Sequence, residues 1–457
     1  MLRYFLTLSI LFTLNVLFAY EHPSDSSKSI IDRAAAIILI DEGKQYLNMG
    51  KTRDALTKFR EAYVKDQYND RAVYWIGRTH YNMSNYGYAS RYAKLALELS
   101  NGRDGQIYFL LGEAYHRQNN LDSSLMYFEL ADQFLKRRHK RIHNVSEAIS
   151  QVKYAKEQGL KTINYQKELI PGDVNSGYDD YSPVLTPDRK TLYFVSRRPD
   201  TQGGGLNPDD QSFYEDIYRA SWNDDLKIWD SVHNTIERLN SDGFDAVNHI
   251  TADGKTMYLT MNTSILDVSN PTRSSDIAVA QLTDQNRWTK PKPIVNKTVN
   301  TTFFDGAVTL TGDESVMYFV SDRRANKKGS EIYRVKREGN NWGIAEPLPD
   351  NINSNGNETT PFITPDGKFL FFSSTGHQGM GGYDIFVTEN LGNNKWSDPI
   401  NLGPEFNTVN NDTHFYYYKD IAMAYFASYR LQGKKASIDL YHIELQNWEI
   451  PRVTKKK

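Results

Sequence analysis

Cysteine is absent from this chain of 457 residues. Its absence excludes disulfide bonds, cysteine-ligated zinc sites and a cysteine nucleophile, and also the lipid-modified cysteine of a bacterial lipoprotein. A charge excess of either sign is missing as well, because 54 basic side chains stand against 56 acidic ones and the net charge is −2. We therefore expect no nucleic-acid partner, since no basic surplus is available to neutralise phosphates.

The apolar run near the N-terminus is too short and too polar for a comfortable membrane span. It extends from Tyr4 to Phe18 and is interrupted by several polar residues. Arg3 precedes it and Ala19 follows it, which is the pattern of a secretory signal peptide over residues 1–19. We expect a mature periplasmic protein that is either soluble or held at the outer membrane by its partners. An uncleaved anchor is the alternative.

Residues 30–160 carry small and aromatic residues at repeated offsets. Gly43 and Gly77 are 34 residues apart, and Gly77 and Gly112 are 35 apart. The residues that follow these glycines in phase are Tyr46, Gly50, Ala55, Phe59 and Ala62, then His80, Ser84, Ala89, Ala93 and Ala96, then Tyr115, Asn119, Ser124, Phe128 and Ala131. This is the period of tetratricopeptide repeats, in which two antiparallel helices form each unit and neighbouring units share a core.

Two features of this helical segment are candidates for partner binding. Such arrays bind peptides or proteins in a concave groove, and the candidates to line it are Tyr74, Tyr81, Tyr108 and Tyr115. The alternative is that these tyrosines pack between helices. A basic run at residues 136–141 is either a solvated helix face or a contact for lipid headgroups or an acidic partner.

Between residues 164 and 451 a β-rich repeat occurs five times. Each copy has an apolar residue, an asparagine and a serine or threonine, then an acid; the asparagines are Asn175, Asn240, Asn300, Asn353 and Asn407, and the acids are Asp180, Asp245, Asp305, Glu358 and Asp412. An aspartate in a turn between two alternating apolar strands follows, at Asp188, Asp253, Asp313, Asp366 and Asp420. A third strand begins with an acid, and a tryptophan-containing turn leads onward. Four strands in each of five units predict a five-bladed β-propeller.

The predicted ring must also close, because an open sheet edge would otherwise be left at each end. Residues 164–170, NYQKELI, resemble the strands that precede the later repeats. We predict that they form the outer strand of the last blade. The fold class is therefore an α + β multidomain chain, with an α-helical tetratricopeptide solenoid at 30–160 and an all-β five-bladed propeller at 164–451.

The propeller repeats resemble a known family. Their Pro-Asp-Gly-Lys, Leu-Tyr-Phe-x-Ser and Asp-Ile-Tyr elements are similar to the TolB-like, WD40-like propeller repeat. Tetratricopeptides followed by this propeller resemble OmpA-family envelope proteins associated with type IX secretion and gliding machinery. The resemblance covers about residues 30–451 and implies periplasmic or outer-membrane protein partners. Such relatives usually continue into a peptidoglycan-binding OmpA-like domain, which this sequence does not contain, so we expect no direct peptidoglycan binding.

One rim of the propeller should collect charged residues. The acids before strands one and three lie there, with the candidate partner-binding residues Arg197, Arg198, Arg323, Arg324 and Arg430. A glycosidase needs two carboxylates about 5–10 Å apart, but these acids recur in every blade, and we interpret them as structural links between loops. In the first blade, residues 198–214 add three glycines and further aspartates, so a solvated loop and a Ca²⁺ site are both open.

These observations favour a non-enzymatic protein–protein interaction scaffold of the bacterial cell envelope. We assign no catalytic residue, cofactor or metal, and neither the Gly-x-Ser-x-Gly elbow of a hydrolase nor a His-Glu-x-x-His motif occurs. The alternative is a glycan-binding or glycan-cleaving five-bladed propeller. A pocket with two or three carboxylates confined to one sector of the ring would favour that alternative.

Overall fold

The computed structural model describes residues 29–202, 205–207, 212–236, 238–262, 275–324, 329–432 and 435–453. The predicted signal peptide and part of the glycine-rich loop of the first blade lie outside the described residues. Among the residues that are described, no helix has the length and apolar character needed to cross a membrane.

The first part of the described chain folds into α-helices that pack in consecutive pairs. The helices are α1 (Ile30–Asn48), α2 (Thr52–Lys65), α3 (Asp70–Asn82), α4 (Tyr86–Leu99), α5 (Gly105–Arg117), α6 (Leu121–Phe134), α7 (Arg137–Ile142) and α8 (Val145–Gln158). Polar side chains cap several N-termini, as where Asn69 accepts the backbone N–H of Ala72 at the start of α3.

The repeated small residues lie where the two helices of a pair cross. A Cβ atom on Gly43 in α1 would lie 2.5 Å from the ring of Phe59 in α2, and one on Gly112 in α5 would lie 2.5 Å from Phe128 in α6. Both phenylalanine rings are buried. In these two pairs, the in-phase glycine and phenylalanine therefore contact each other. The predicted tetratricopeptide-type array is confirmed.

Five antiparallel sheets follow, and they are the five blades of the ring. The strands of the first three blades are β2 (Asp180–Leu185), β3 (Thr191–Ser196), β4 (Asp216–Asn223) and β5 (Ile228–His233); β6 (Phe244–Ile250), β7 (Thr256–Asn262), β8 (Asp276–Gln281) and β9 (Lys292–Pro293); and β10 (Asp305–Leu310), β11 (Val316–Ser321), β12 (Glu331–Glu338), β13 (Asn341–Trp342) and β14 (Glu346–Pro347). The last two blades contain β15 (Glu358–Ile363), β16 (Phe369–Ser374), β17 (Asp384–Gly392), β18 (Lys395–Trp396) and β19 (Ile400–Asn401); then β20 (Asp412–Tyr418), β21 (Met423–Gln432), β22 (Lys435–Glu444) and β1 (Lys167–Leu169).

The ring closes as the sequence predicts. β1 pairs antiparallel with β22, so that Lys167 lies opposite Ile443 and Leu169 opposite Tyr441. The fifth blade is therefore built from both ends of the β-rich segment, in the order β1-β22-β21-β20. This pairing covers the edge of β22 that would otherwise be open.

The repeated asparagine joins each blade to the one before it. Asn240 accepts the backbone N–H of Ile217 at 2.8 Å and donates to the carbonyl of the same residue at 2.9 Å. Asn175 makes the same pair of bonds to Leu440 across the point of closure. Equivalent pairs are made by Asn300, Asn353 and Asn407. At every blade junction, one asparagine side chain thus forms hydrogen bonds with both the backbone N–H and the backbone C=O of a single buried residue.

Apolar side chains from the first two strands of each blade fill the space between neighbouring sheets. Val247 in β6, Leu259 in β7, Phe371 in β16 and Phe426 in β21 all lie at 0 % exposure in one apolar cluster. Burial of each such side chain contributes about 1.5–3 kcal/mol. The core therefore runs around the ring, between the blades.

Candidate functional site

The five recurring acids lie at the beginning of the first strands, where they are completely buried and bound within their own blades. The Asp245 carboxylate accepts the backbone N–H of Ser241 at 2.6 Å and its hydroxyl at 2.9 Å. The same cap forms between the other acids and Ser176, Thr301, Ser354 and Thr408. These carboxylates hold the turn that leads into each blade, which supports a structural interpretation, whereas the asparagines join the blades.

The candidate arginines contact carbonyl or carboxylate groups of their own blades. The pairs are Arg197 with the Phe213 carbonyl, Arg198 with Asp180, Arg323 with Asp305, Arg324 with Glu331 and Arg430 with Asp439. Arg323 also donates to the Val299 carbonyl at 2.7 Å. These internal contacts position the guanidinium groups on the rim, and a role in partner binding stays a prediction.

The four candidate tyrosines divide into a buried and a partly exposed pair. Tyr74 and Tyr108 are 5 % and 9 % exposed and belong to the core of the array. Tyr81 and Tyr115 are partly exposed, and Tyr115 stacks on Tyr127 with ring centres 5.5 Å apart. The first pair therefore packs between helices, and the second pair reaches the surface. Their role as a peptide groove is likewise a prediction.

The first strand of each blade carries an irregularity. Each of these strands shifts register against its neighbour after its first residues. Ser182, Ala307, Thr360 and His414 lie at the shifts with φ between 46° and 56°. Such a left-handed conformation is costly for a residue with a side chain. Because the irregularity recurs, we interpret it as a regular feature of this propeller and not as a local defect.

Hydrogen bonds between the first strands of different blades form a belt at this level. The Tyr416 hydroxyl donates to the Asn248 carbonyl at 2.8 Å, and the backbone N–H of His414 donates to Thr360 Oγ1 at 3.1 Å. Two separate cavities of about 510 Å³ each lie on the axis, one towards each face of the ring. The belt therefore divides the central channel into two cups.

The rim cup opens on the face that carries the acids. Its wall combines the rings of Tyr181, Phe244 and Phe304 with amide and hydroxyl side chains. Glu215 is the one carboxylate among the described residues that line it. The imidazole of His414 also lines the cup, and burial lowers its pKa to about 3. The pair of carboxylates that glycoside cleavage needs is thus missing from the described wall.

The hairpin cup opens on the opposite face, where the turns between first and second strands lie. Its walls are mainly apolar, with Val184, Ile250, Leu310 and Phe362 contributed by four different blades. His249 also lines it, and burial lowers the pKa of this imidazole to about 4, so the ring is neutral at pH 7. Three of the charged residues that line it, Arg189, Asp420 and Glu314, are held in the Arg189–Asp420 and Arg337–Glu314 ion pairs. An apolar cavity of this size with few polar groups is the usual form of a binding pocket.

The aspartates of the glycine-rich loop that the structure describes are engaged within the first blade. Asp200 accepts the Tyr218 hydroxyl at 2.6 Å, and Asp216 accepts Thr201 Oγ1 at 2.9 Å and Asn234 Nδ2 at 2.9 Å. Asp209 and Asp210 lie outside the described residues. Within the described ranges no group of three acidic or histidine side chains is arranged to hold a metal ion.

The helical array contacts the acid rim of blades four and five. His116 Nε2 lies 2.8 Å from the Met380 carbonyl, and Arg117 Nη1 donates to the Val409 carbonyl at 2.7 Å. Asn410 Nδ2 returns a bond to the Arg117 carbonyl at 3.2 Å. Burial lowers the pKa of His116 to about 4, with the charge of Arg117 acting in the same direction, so the neutral imidazole donates its N–H. Met380, Val409 and Ala155 add an apolar cluster between the two parts.

The repeat patterns do not predict this contact, although the fourth blade carries a signal for it. The loop between β16 and β17 contains four glycines, including Gly381 and Gly382. A Cβ on Gly381 would lie 2.1 Å from the Val409 carbonyl, and one on Gly382 would lie 2.8 Å from Arg117. Glycine is required here because the helical array and the next blade both approach the loop backbone closely.

We expect Arg117→Ala to destabilise the docked helical array by about 1–3 kcal/mol, because the buried Val409 carbonyl would lose its charged donor. Differential scanning calorimetry, combined with circular dichroism of the helices, should show an earlier helical transition and little change in the propeller transition. Arg91→Ala, at an exposed position on α4, is the matched control. Equal melting of the two variants would show that the contact does not stabilise the array.

No protein-family profile and no curated protein matches the chain. Solved structures match its two parts separately. The type III secretion chaperone SycD of Yersinia enterocolitica, in complex with a peptide of the translocator YopD, is 20 % identical over 28 % of this chain and 99 % of that one, with a TM-score of 0.26. TolB from Acinetobacter baumannii is 14 % identical over 66 % of this chain and 69 % of its own, with a TM-score of 0.35. A structure titled glycoside hydrolase is 11 % identical over 67 % and 97 %, with a TM-score of 0.42. The assignment of the fold therefore rests on the helix pairs and the five sheets described above.

Proposed function

We propose that this protein is a non-enzymatic interaction scaffold of the bacterial periplasm, and that the hairpin cup binds an apolar segment of a partner protein. The observation that carries the proposal is the cup itself, an apolar cavity of about 510 Å³ at the centre of one face of the ring. The helical array docks on the opposite face, through Met380 and Val409. Partner binding at the cup and docking of the helices are therefore compatible.

The state of the buried acids supports binding and not turnover. The recurring carboxylates are already bound to hydroxyl and backbone N–H groups, so they have little capacity left for proton transfer to a substrate. Arg189, Asp420 and Glu314, which line the hairpin cup, are held in ion pairs. A partner that enters this cup would be recognised by its apolar surface and by the shape of the cavity.

The cellular setting is part of the same proposal. We place the protein in the periplasm, peripherally associated with the outer membrane and linked to type IX secretion or gliding machinery. These parts of the proposal rest on the signal-peptide pattern and on the resemblance of the repeats. The expected partners are accordingly periplasmic or outer-membrane proteins. No membrane span and no peptidoglycan contact is required for a scaffold of this kind.

We expect Ala252→Trp to abolish partner capture at the hairpin cup. Ala252 lies exposed in the turn after β6 and lines the mouth, so an indole there would fill the entrance without disturbing the core. Lys255→Trp is the matched control, because Lys255 is exposed in the same turn and does not line the cup. Each protein would be cross-linked in envelope preparations, and the captured proteins identified by mass spectrometry.

A partner retained by wild type and Lys255→Trp but lost with Ala252→Trp would support the cup as its binding site. Equal capture by all three proteins would place the partner elsewhere and contradict the proposal. Binding of the purified partner to the three proteins, measured by calorimetry, would separate direct from indirect capture. We expect a loss of at least about 100-fold in affinity, which corresponds to about 2.7 kcal/mol.

Glycan binding in the rim cup is a second candidate function. Its wall places the aromatic rings of Tyr181 and Phe304 beside the side chains of Asn248 and Thr260, and this combination suits a neutral sugar. The single described carboxylate favours binding over cleavage. Calorimetry with envelope oligosaccharides would test this candidate, and binding that persists in Phe304→Ala would contradict it.

A further inference from the structure

The first helix of the array carries an exposed apolar stripe. Ile30, Ile31, Ile37 and Ile38 are 78, 80, 57 and 60 % exposed, and Ala34 between them is exposed as well. At 100° per residue these five side chains share one side of α1. The side that packs on the array is the opposite one and is formed by Ala36, Ile40 and Gly43. The stripe is thus a second apolar face on a helix that already has a buried face.

Two features make this stripe unusual for the end of a helical array. A terminal repeat normally presents a polar outer face, because nothing stacks on it. In addition, α1 has 19 residues, whereas the equivalent helices α3 and α5 have 13 each. The extra turns at the N-terminal end of α1 include Ile30 and Ile31. The helix therefore extends beyond its own array and carries apolar residues there.

The order of residues in the stripe is symmetric about Ala34. Ile30 and Ile38 lie four positions to either side of it, and Ile31 and Ile37 lie three positions to either side. If two such helices cross antiparallel at Ala34, each isoleucine meets an isoleucine of the other helix and the small alanine meets itself. A surface of this kind is self-complementary under a two-fold axis. A small residue at the crossing also allows close approach of the helices.

We infer that two copies of this protein dimerise through α1, packed antiparallel with Ala34 on the two-fold axis. The stripe from Ile30 to Ile38 contains no charge on its apolar side, so the contact buries isoleucine without an unpaired ion. Nine residues of helix span only about 13 Å. An interface of this length lies at the small end of specific interfaces, so we expect a dissociation constant in the micromolar range. A dimer would present two propellers, and hence two hairpin cups, on one particle.

The self-association is tested by sedimentation equilibrium of the protein purified without residues 1–19, over a concentration series. Wild type should shift from monomer to dimer in the micromolar range. Ile38→Asp should raise the dissociation constant at least about 100-fold, because the symmetry places one unpaired charge against Ile30 in each of the two equivalent contacts. Met126→Asp, at an exposed apolar position on α6, is the control and should leave the constant unchanged. A protein that stays monomeric at all concentrations, or an equal effect of both substitutions, would overturn the inference.

The crossing of the two α1 helices at Ala34 is tested separately by introducing a single cysteine, since the chain has none of its own. Ala34→Cys should form an intermolecular disulfide on mild oxidation, because a crossing at this residue brings the two Cβ atoms into bonding range. Met126→Cys should form no intermolecular disulfide under the same conditions. A second measurement uses vesicles of phosphatidylcholine and phosphatidylglycerol. If wild type binds the vesicles and Ile38→Asp does not, while both are monomeric in solution, the stripe is a lipid contact and the dimer is wrong.

Discussion

A propeller expressed from residue 172 should fail to show the cooperative thermal transition that a propeller expressed from residue 163 shows. The shorter chain lacks β1, so β22 would have an unpaired edge on the outside of the fifth blade. It also lacks Lys167, whose ammonium group lies 3.9 Å from the buried Asp412 carboxylate and donates to the Phe406 carbonyl at 3.1 Å. Ile170, which is 2 % exposed, leaves the core as well.

Each of these losses costs a few kcal/mol, and together they approach the total stability of an ordinary domain. Circular dichroism and calorimetry of the two propellers measure the difference. Glu168→Ala in the longer chain is the control, because this strand residue has a side chain that is 75 % exposed. Both chains retain Asn175 and its two hydrogen bonds to the backbone of Leu440. Cooperative melting of the shorter chain at the same temperature would mean that these two hydrogen bonds alone close the ring.

The sequence predicts both repeat architectures because each repeat places the same contact at the same offset. Gly43 and Phe59 recur as Gly112 and Phe128 because in both pairs the glycine lies against the ring where the two helices cross. The closing strand is predictable for a similar reason, since residues 164–170 resemble the strands that precede the later repeats. The fold can therefore be predicted from the periodicity of the sequence, and the observed pairing of β1 with β22 agrees with that prediction.

Features that occur once could not be predicted in this way. The docking of the helices depends on His116 and Arg117 in α5 and on the loop between β16 and β17, and the two α5 side chains have no equivalent in another repeat. The irregularity that divides the axis into two cups does recur, but different residue types carry it, such as Ser182 and His414, so no repeated residue marks it in the sequence. A single sequence does not encode these in a pattern, because they arise from contacts between distant segments.

The repeat pattern makes the five buried acids equivalent, whereas the structure distinguishes them by their cations. Asp305 is paired with Arg323, and Asp412 lies near Lys167. Asp245 has no cation among its described partners, and its described hydrogen bonds come from Ser241. Burial raises the pKa of Asp245 to about 7, against the hydrogen bonds from Ser241. Acids at equivalent positions of the repeat therefore differ in their charged neighbours, and substitution of each acid should change the free energy of unfolding by a different amount.

We expect Asp305→Asn to lower the free energy of unfolding by about 3 kcal/mol or more at pH 7, because it leaves the largely buried Arg323 without its carboxylate. Asp245→Asn should change it by less than about 1 kcal/mol at pH 5, where the wild-type carboxyl group is protonated and the amide resembles it in shape and polarity. Denaturant unfolding of both variants measures the difference. Equal losses would contradict the role given to Arg323.

The pH dependence of Asp245→Asn provides the sharper measurement. In the wild type the folded carboxyl group binds its proton more tightly than the unfolded one, whose pKa is about 3.9. Its contribution to stability is therefore greatest below that value and is lost as the pH rises towards about 7, with a slope of up to about 1.4 kcal/mol per pH unit. The amide that replaces the carboxyl group does not titrate, so the stability of the variant relative to wild type should increase between pH 5 and pH 8. A constant difference over this range would show that Asp245 is ionised throughout, and that the Ser241 cap outweighs the cost of burying its charge.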